Sequence, residues 1–257
     1  MPESDAYSVY YDLLYADKQE DVPFYLNMAK ETGGPVLELA CGTGRVLLPL
    51  ARAGFDVTGL DLSQAMLDKL QAKLDKEPRE VQSRVALKCA NMRDYRFSQK
   101  FKLVFCAFNS FLLLMTAEDQ LACLKTVREY LADDGRLVLN IFAPYYDKLV
   151  KKTETSVHKE KDPETGRDLI ATEITRRDWQ KQTMNVCQYV DRIGDDGTVR
   201  RYPADFSLCW IHNREMHLLL RLAGYEVVAV YGGYDKRPYD YVSGIQVFVA
   251  RAAGKTG

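Results

Sequence analysis

The chain has few residues of the types that bind metal ions or cross-link a fold. It contains only three histidines, and no two of its six cysteines form a C-x-x-C pair. The cysteines, which lie in or beside apolar runs, are residues 41, 89, 106, 123, 187 and 209. This spacing predicts neither a zinc site nor a disulfide framework, and no metal is expected. Reduced, buried thiols are typical of cytoplasmic proteins, so the expected location is the cytoplasm.

Long hydrophobic runs and a strong charge of one sign are also missing. No stretch of 18 apolar residues occurs, which argues against a membrane span. The acidic start of the chain lacks the apolar segment of a secretion signal. The formal net charge is −1, whereas nucleic-acid-binding domains usually carry a basic stripe. The Lys/Arg doublets at 151–152, 176–177 and 200–201 are expected on a solvated sheet face, with a nucleic-acid contact as the alternative.

What the chain does have is a glycine-containing turn between a buried strand and a helix. Residues 36–40 are a short apolar run that contains one carboxylate, Glu38. The run ends in Cys41-Gly42-Thr43-Gly44, and residues 45–52 follow with the pattern of a helix. A strand that turns on glycines into a helix places bare backbone N–H groups next to a ligand. The sequence therefore predicts a ligand-binding loop at residues 41–44.

An acidic residue stands at the end of the next predicted strand. Residues 55–60 form this second run, and Asp61 follows it, seventeen residues past Gly44. An acid at the tip of the second strand is placed to hold two hydroxyl groups of a ribose. The alternative is that the glycine loop is a plain turn and that Asp61 caps the following helix. Together, the loop and the acid favour a nucleoside-bearing cofactor.

Two common nucleotide-binding signatures are absent from this loop. No G-x-x-x-x-G-K-[S/T] string follows the first strand, and Leu47 stands where a dinucleotide fold has its third glycine. Glu38 would repel a pyrophosphate but suits a cationic amine or sulfonium. The string from Glu38 to Gly44 fits E/D-x-A/G-x-G-x-G and resembles the class I S-adenosylmethionine-dependent methyltransferases. The resemblance implies S-adenosyl-L-methionine as cofactor and methyl transfer as activity.

The remaining pattern predicts an α/β fold, and 257 residues are enough for one large core. Beyond the second strand, strands are predicted at 85–90, 101–108 and 136–143, with helices at 63–74 and 117–131 and a turn at 133–135. This alternation indicates a doubly wound parallel sheet. A last strand pair is predicted at 225–231 and 242–250, after a helix at 213–223. The resemblance implies an antiparallel seventh strand in a mostly parallel, Rossmann-like sheet.

Between the fifth strand and this last pair, the pattern changes to alternating polarity. Residues 153–208 hold three or four such stretches, separated by turns at 162–166 and 194–197. We interpret them as an antiparallel β insertion after the fifth strand. The predicted organisation is a helical arm or lid at 1–32, a cofactor-binding core at 33–143 and 209–251, the insertion over the substrate pocket at 144–208, and a disordered tail at 252–257.

Some features narrow the resemblance. The stretch 91–101 is similar to N,N-dimethyltransferases that act on nucleotide-linked amino sugars, which also share a tyrosine-rich start and a β insertion. The stretch 109–111 resembles glycine N-methyltransferases. These likenesses imply methylation of a small molecule at an amine or a hydroxyl. The alternatives are an RNA methyltransferase and a non-catalytic cofactor-binding protein on the same fold.

The resemblance also assigns roles to residues at the strand ends. Asn91 would accept a hydrogen bond from the adenine amino group, and Met92 would stack on the ring or pack in the core. The cofactor site is predicted to contain Glu38, Ala40, Gly42, Gly44, Arg45, Asp61, Leu62, Met66, Asn91, Met92, Ala107 and Phe108. The expected partners are a small-molecule methyl acceptor and a second copy of the chain in a homodimer, without nucleic acid or membrane.

Methyl transfer from a sulfonium is a direct in-line displacement, so the protein mainly aligns the reacting groups and excludes water. Tyr11, Tyr15 and Asn109 are predicted to orient the acceptor near the transferred methyl group. Tyr11 and Tyr15 lie four residues apart, on one face of a helix or compact arm. The alternative is that the tyrosines only pack that arm. His212 is more often structural than catalytic in such a position, and no convincing base is found.

Overall fold

The computed structural model describes residue 8 and residues 11–15, 18–161, 165–194, 196–240 and 242–254. Residues 11–15 are helical. The helices are α1 (Val22–Thr32), α2 (Leu47–Arg52), α3 (Gln64–Leu74), α4 (Arg79–Gln82), α5 (Ala117–Tyr130), α6 (Tyr146–Leu149) and α7 (Asn213–Leu222), with a 3-10 helix at Ser110–Leu113. The strands are β1 (Val36–Leu39), β2 (Val57–Asp61), β3 (Val85–Cys89), β4 (Phe101–Cys106), β5 (Leu131–Phe142), β6 (Thr153–Lys161), β7 (Asp168–Asp178), β8 (Thr183–Ile193), β9 (Val199–Pro203), β10 (Phe206–Cys209), β11 (Tyr225–Tyr231) and β12 (Ile245–Ala252).

Seven strands form one sheet in the order β11-β12-β5-β4-β1-β2-β3. β1 pairs in parallel with β2 and β4, and the pairs β2–β3 and β4–β5 are also parallel. β12 runs antiparallel to β5 and β11. The order reverses between β1 and β4, which is the switch point where ligands bind in open α/β sheets. The predicted seven-stranded, mostly parallel fold is confirmed.

Alternation along β1 explains how the sheet is covered on both faces. Val36 belongs to the core formed with α1, α2 and α3, whereas Leu37 and Leu39 belong to the core formed with α5 and α7. Successive side chains of a strand point to opposite faces, so Glu38 lies on the same face as Val36. The carboxyl group of Glu38 therefore lies in this apolar core, beneath the start of α2.

The structure corrects two strand boundaries. β4 ends at Cys106 instead of Phe108, because Phe108 and Asn109 adopt positive φ angles of 53° and 66°. Such angles are incompatible with a strand and turn the chain sharply at the sheet edge. β5 begins at Leu131, five residues before the prediction, and a register shift separates its first pair from Arg136. The predicted turn at 133–135 is therefore an irregularity within the strand.

The insertion forms a second sheet of five strands. Its order is β10-β8-β7-β6, and β9 also pairs with β8. All four pairings are antiparallel, as predicted. The predicted turn at 194–197 joins β8 to β9, where the Gly194 N–H donates to the Thr198 carbonyl oxygen at 2.8 Å. The other predicted turn includes residues 162–164, which lie outside the described residues.

The helical segment 11–15 connects the two sheets. Leu13 and Leu14 pack against Leu169, Val190 and Tyr202 of the insertion sheet. The rest of the predicted arm lies partly outside the described residues, which omit 1–7, 9–10 and 16–17. Residues 255–257 of the predicted tail are likewise outside them. The predicted domain limits stay predictions.

Candidate active site

Backbone strain is concentrated at the carboxyl ends of β1 and β4. Ala40 has φ 54°, and the consecutive residues Phe108 and Asn109 have φ 53° and 66°. Each non-glycine residue in this region costs about 1 kcal/mol or more, and such strain tends to lie at functional sites. β1 and β4 are neighbours at the switch point of the sheet. The strained residues therefore mark the edge where a ligand of this fold binds.

A cavity of about 470 Å³ opens at this edge. Eight of the predicted site residues line it, namely Tyr11, Ala40, Gly42, Asp61, Leu62, Met66, Asn91 and Met92. The 3-10 helix after β4 contributes Ser110 and Leu113. Apolar walls with few polar groups are usual for small-molecule sites. The structure therefore brings the ends of β1, β2 and β3 together around one cavity.

Asp61 ties the first two strand ends to each other. The Gly42 N–H donates to Asp61 Oδ2 at 2.7 Å, and the Ser63 N–H donates to Asp61 Oδ1 at 2.9 Å. Burial raises the pKa of the Asp61 carboxyl, and these backbone N–H groups oppose the rise. The N-cap of α3 is Ser63, whose Oγ accepts from the Met66 N–H at 3.3 Å. Asp61 is thus held at the cavity wall by the backbone.

The three glycines near the loop have different physical roles. A Cβ on Gly42 would lie 3.9 Å from the Tyr11 ring, so this position is open toward the cavity. A Cβ on Gly44 would lie 2.2 Å from Leu70 Cδ1, which means that α3 and not a ligand fills that space. Sequence reasoning missed Gly59 of β2, where a Cβ would lie 2.8 Å from the Cys41 sulfur. Gly44 and Gly59 are therefore required by packing beneath the loop.

Asn91 and Met92 line the opposite wall of the cavity. Asn91 Oδ1 already accepts from the Arg93 backbone N–H at 2.9 Å and from Arg93 Nε at 3.2 Å. The guanidinium of Arg93 also pairs with Asp119. Met92 packs against the main core while contributing to the cavity wall. An adenine amino group would have to share the Asn91 oxygen with Arg93, a contact that sequence reasoning missed.

Glu38 is a buried carboxyl group below the glycine loop. Its side chain is 3% exposed, and its Oε2 has no hydrogen-bond partner among the described residues. Burial raises its pKa well above the ordinary value, although Arg45 and the Leu47 backbone N–H act in the opposite direction. A buried, unsatisfied acceptor is costly and usually marks a binding or strained site. It does not line the cavity, but it suits a cationic ligand group next to the loop.

Arg45 bonds to the N-terminal residues beside the cavity. Its side chain is 7% exposed and forms two hydrogen bonds with the Asp21 carboxylate, one of them of 2.6 Å. It also donates to the Lys18 carbonyl oxygen and lies 4.9 Å from the centre of the Phe108 ring. A nearly buried bidentate pair is geometrically specific. In this arrangement, Arg45 fixes the chain before α1 to the glycine loop.

Tyr11 and Tyr15 lie together at the site, as the sequence predicts for residues four apart. Their ring centres are 5.1 Å apart, and the Tyr15 ring lies 5.2 Å from that of Phe108. Burial raises the pKa of Tyr11 to about 12, and the nearby Arg45 opposes this shift. Tyr11 therefore stays protonated at neutral pH and is a hydrogen-bond donor instead of a base.

A second polar group lies where β4 and β5 end. The Asn109 N–H donates to the Asn140 carbonyl oxygen at 3.2 Å, and Tyr234 Oη donates to Asn140 Oδ1 at 3.1 Å. Asn109 Oδ1 and Asn140 Nδ2 are buried without a hydrogen-bond partner among the described residues. Ala107 is buried in the core beside this turn. Sequence reasoning missed Asn140, which is an inward-facing polar residue in an apolar strand.

Asp12 of the helical segment binds directly to the glycine loop. The Thr43 hydroxyl donates to Asp12 Oδ1, and Lys73 Nζ lies 2.8 Å from Asp12 Oδ2. Lys73 also donates to the Thr43 carbonyl oxygen at 3.0 Å. Thr43 is fully buried, so its hydroxyl needs this partner. These contacts hold the segment over the loop.

Several other candidates lie outside the site. His212 is exposed at the start of α7, where its backbone N–H donates to Glu215 Oε2 at 2.7 Å. Among the described residues, no group of three or more His, Cys, Asp or Glu side chains is arranged to bind a metal ion. In the same part of the chain, no helix is long and apolar enough to cross a membrane.

The residues of the cavity fit a nucleoside that carries a cationic end. Asp61 is positioned for ribose hydroxyls, Met66 and Met92 offer apolar surface to a base, and Gly42 leaves room for close approach. Glu38, in the strand below the loop, has a buried oxygen without a hydrogen-bond partner among the described residues, and a positive group would satisfy it. The arrangement therefore suits S-adenosylmethionine better than an anionic dinucleotide.

Comparison with known proteins agrees with this geometry. Residues 36–135 match a family described as a methyltransferase domain. The chain is 29% identical to the cypemycin N-terminal methyltransferase of a Streptomyces species, over 80% of this chain and 78% of that protein. It is 28% identical to a dTDP-3-amino-3,4,6-trideoxy-alpha-D-glucopyranose N,N-dimethyltransferase of Streptomyces venezuelae, over 53% of this chain and 55% of that one. Among solved structures, the CcbJ methyltransferase of Streptomyces caelestis has a TM-score of 0.78 at 28% identity, covering 91% of this chain and 90% of that one.

The fold, the loop and these similarities define the class of the protein. The chain is an S-adenosylmethionine-dependent methyltransferase whose residues 36–135 match the methyltransferase-domain family, and S-adenosyl-L-methionine is its cofactor. Its similarity is to the branch that includes sugar N-methyltransferases and glycine/sarcosine N-methyltransferases. The family, the enzyme class and the cofactor predicted from the sequence are confirmed.

Proposed function

We propose that this methyltransferase transfers a methyl group to an amine nitrogen of a small molecule. The observation that carries the proposal is the buried, unpartnered Oδ1 of Asn109 at the strained end of β4. An amine that attacks a methyl group keeps an N–H bond available for donation, and Asn109 Oδ1 is an acceptor for it. The relatives named above methylate a peptide N-terminus and an amino sugar, which supports an amine as the acceptor.

Bound S-adenosylmethionine supplies an electrophilic methyl group with a neutral thioether as leaving group. Asp61 would hold the ribose, Gly42 would leave room for close approach of the nucleoside, and the Glu38 carboxylate would face the cationic end of the ligand. Asn109 Oδ1 and the oxygen of the neutral Tyr11 hydroxyl accept from the N–H bonds of the attacking nitrogen, which leaves its lone pair free along the line of displacement. Tyr15 excludes water by packing on Phe108. A neutral amine needs no base before it attacks.

The surface charges favour a small acceptor over a nucleic acid. Arg177 of one basic doublet is bonded to Glu154 Oε2 at 2.8 Å, and Arg201 of another is bonded to Asp191 at 2.7 and 2.8 Å. Arg200 lies over the Tyr202 ring at 5.2 Å. Paired arginines leave little free positive surface for phosphates. The cytoplasmic location, the homodimer and the lid role of the arm remain parts of this proposal.

The test is a methyl-transfer assay on the full chain that measures formation of S-adenosylhomocysteine. Acceptors are glucosamine, glycine, sarcosine, a short peptide with a free N-terminus, and total tRNA. Methylation of one or more of the amines is expected. Asn109→Ala should lower kcat at least tenfold and leave the Kd of S-adenosylmethionine within twofold, whereas the surface control Asn185→Ala should change neither.

Two results would contradict the proposal in different ways. Methylation of tRNA alone would assign the chain to RNA. Tight cofactor binding without transfer to any acceptor, amine or hydroxyl, would support the non-catalytic alternative. Light scattering after size-exclusion chromatography measures the assembly state independently of the acceptor.

A further inference from the structure

A row of polar side chains crosses the inner face of the insertion sheet. In the strand register, Ser156 of β6 is opposite Glu173 of β7, and Glu173 is opposite Gln188 of β8. Directly opposed residues in antiparallel strands have Cβ atoms about 5 Å apart on the same face. Gln188 is 5% exposed, which identifies this face as the covered one.

The neighbouring rows of side chains show which parts of the protein this face packs against. On one side, Val190 packs with Leu13 and Leu14 of the helical segment 11–15. On the other side, Val186 packs near Phe142, the last residue of β5. The row of Glu173 and Gln188 therefore lies between the segment that carries Tyr11 and Tyr15 and the strand end beside Asn109. The row is therefore on the side of the insertion sheet that packs against these two parts of the proposed acceptor site.

The protein leaves one acceptor of the pair unsatisfied and the other only partly satisfied. Gln188 Oε1 is buried and has no hydrogen-bond partner among the described residues. The Glu173 carboxylate accepts from the Thr175 hydroxyl at 3.1 Å and forms no ion pair with a described cationic side chain. Arg177 lies on the same face but is bonded to Glu154 and to the Lys151 carbonyl oxygen. A buried acceptor beside an uncompensated carboxylate is favourable only when a ligand brings donors.

We propose that Glu173 and Gln188 form a specificity subsite for a second donor group of the acceptor, best an ammonium group. This inference rests on the proposed amine methylation and adds to it. The acceptor would carry the nitrogen to be methylated at one end. At its other end it would carry a cationic group or a group with several N–H bonds. Charge-assisted hydrogen bonds to that group would give both unpaired acceptors a partner.

The test compares 1,3-diaminopropane with propylamine, which differ in the second ammonium group. The wild-type protein should have a kcat/KM for the diamine at least tenfold higher than for the monoamine. Glu173→Gln should reduce this preference at least fivefold, while the Kd of S-adenosylmethionine stays within twofold. Asp168→Asn is the matched control, because it makes the same change in an exposed pair on the same strand and should keep the preference.

Gln188→Leu separates a recognition role from a structural one. Removing an unsatisfied buried acceptor should leave the melting temperature unchanged or higher and still lower the preference for the diamine. A lower melting temperature with an unchanged preference would show that Gln188 is only part of the core. An unchanged preference in Glu173→Gln would overturn the proposal.

Binding of 1,3-diaminopropane to the complex with S-adenosylhomocysteine, followed by NMR, tests the subsite without methyl transfer. Weaker binding to Glu173→Gln than to wild type supports the subsite even if neither amine is methylated. In that case, only the proposed amine acceptor would be contradicted. Equal binding to wild type and variant would contradict the subsite while leaving amine methylation intact.

Discussion

The Gly42 backbone N–H donates to Asp61 Oδ2 at 2.7 Å, so the glycine loop and the acid at the end of β2 form one hydrogen-bonded unit. The two features that the sequence places seventeen residues apart, Gly44 of the loop and Asp61, are thus parts of a single site. A carboxylate held by backbone donors on one side keeps its remaining lone pairs for the ligand. The loop conformation and the ribose contact should therefore respond together to a change at Asp61.

The first prediction concerns this acid. Asp61→Ala should weaken S-adenosylmethionine binding at least tenfold, because hydrogen bonds to a charged group contribute about 1.5–3 kcal/mol each. Isothermal titration calorimetry measures the change. Ser63→Ala is the control, since it removes the N-cap of α3 next to Asp61 and should cost about 1 kcal/mol of stability without a tenfold loss of binding. Unchanged affinity in Asp61→Ala would show that the acid only organises the turn.

The second prediction separates the two loop glycines. Gly44→Ala should destabilise the fold by about 2–4 kcal/mol, because its Cβ would meet Leu70 and its φ is +83°. Gly42→Ala should cost only about 1 kcal/mol, because the nearest atom to its Cβ is 3.9 Å away. Urea unfolding measures both values. Gly42→Ala should, however, weaken cofactor binding, since its Cβ enters the cavity.

Coupling to Leu70 provides the control for this difference. The double variant Gly44→Ala, Leu70→Ala should be more stable than the sum of the single effects, because the truncated side chain leaves room for the new Cβ. Strict additivity would mean that strain in the backbone, and not the contact with α3, makes Gly44 necessary.

Local patterns in the sequence were sufficient for the sheet and for the cavity wall. The apolar run before Gly42, the acid at Asp61 and the cap at Ser63 depend on neighbours within a few residues. The role of Gly44 was different, because the side chain that excludes a Cβ there comes from α3. The sequence analysis assigned Gly44 to the cofactor site, and only the packing of Leu70 shows that α3 occupies the space beside it.

Contacts between distant segments were not predictable in this way. Asn140 looks like an isolated polar residue in an apolar strand until Tyr234 is placed against it. Glu173 and Gln188 are fifteen residues apart, and their pairing depends on the register of β7 and β8. A shift of one residue would move both to the outer face.

The third prediction concerns Asp12 and the lid. Asp12→Ala removes the partners of the Thr43 hydroxyl and Lys73, so the segment 11–15 should leave the glycine loop more often. Methyl transfer should fall at least fivefold, while the Kd of S-adenosylmethionine changes less than threefold. Faster proteolysis before residue 20 would accompany the loss. Glu77→Gln, which breaks the exposed pair with Arg52, should affect neither readout.

Deletion of residues 1–20 extends this test. A lid that is separate from the core should leave a folded protein without transfer and with only weakened cofactor binding. An unfolded product would show that Leu13 and Leu14 belong to the core, and full activity in a folded product would remove the lid hypothesis.

The fourth prediction is a pH profile for Tyr11. Because burial raises its pKa to about 12, Tyr11 should not contribute an ionisation to kcat/KM below pH 9. The rate should instead rise with the fraction of neutral amine in the acceptor. Tyr11→Phe should lower kcat and leave the shape of the profile unchanged. An inflection that disappears in Tyr11→Phe would identify the phenol as a base.

The same shift has a consequence for stability. Between pH 10 and about 12, an unfolded tyrosine loses its proton while folded Tyr11 keeps it, so folding stability falls as the pH rises. In urea unfolding, the free energy of unfolding of Tyr11→Phe should fall less over this range. The number of protons that unfolding releases should be smaller by one than in the wild type. An equal slope in both proteins would contradict the buried, protonated state.

The fifth prediction concerns the proton on Glu38. Burial raises the pKa of this carboxyl well above its ordinary value, so the free protein should retain the proton at a pH where an exposed glutamate has lost it. A cationic ligand next to its unpartnered Oε2 favours the ionised form and should drive the proton off. Calorimetry of S-adenosylmethionine binding in buffers with different ionisation enthalpies should therefore detect proton release, and Glu38→Gln should abolish it.

The sign of the stability effect follows from the same raised pKa. As the pH rises above the value for an unfolded glutamate, the unfolded state loses its proton first, so the free protein loses stability until folded Glu38 also ionises. Glu38→Gln should remove this loss and be more stable than the wild type at neutral pH, yet bind the cofactor more weakly. The contrary result is that Glu38→Gln binds the cofactor as tightly as the wild type and releases the same number of protons. That result would show that the proton comes from another group and that Glu38 does not face the cationic end of the cofactor.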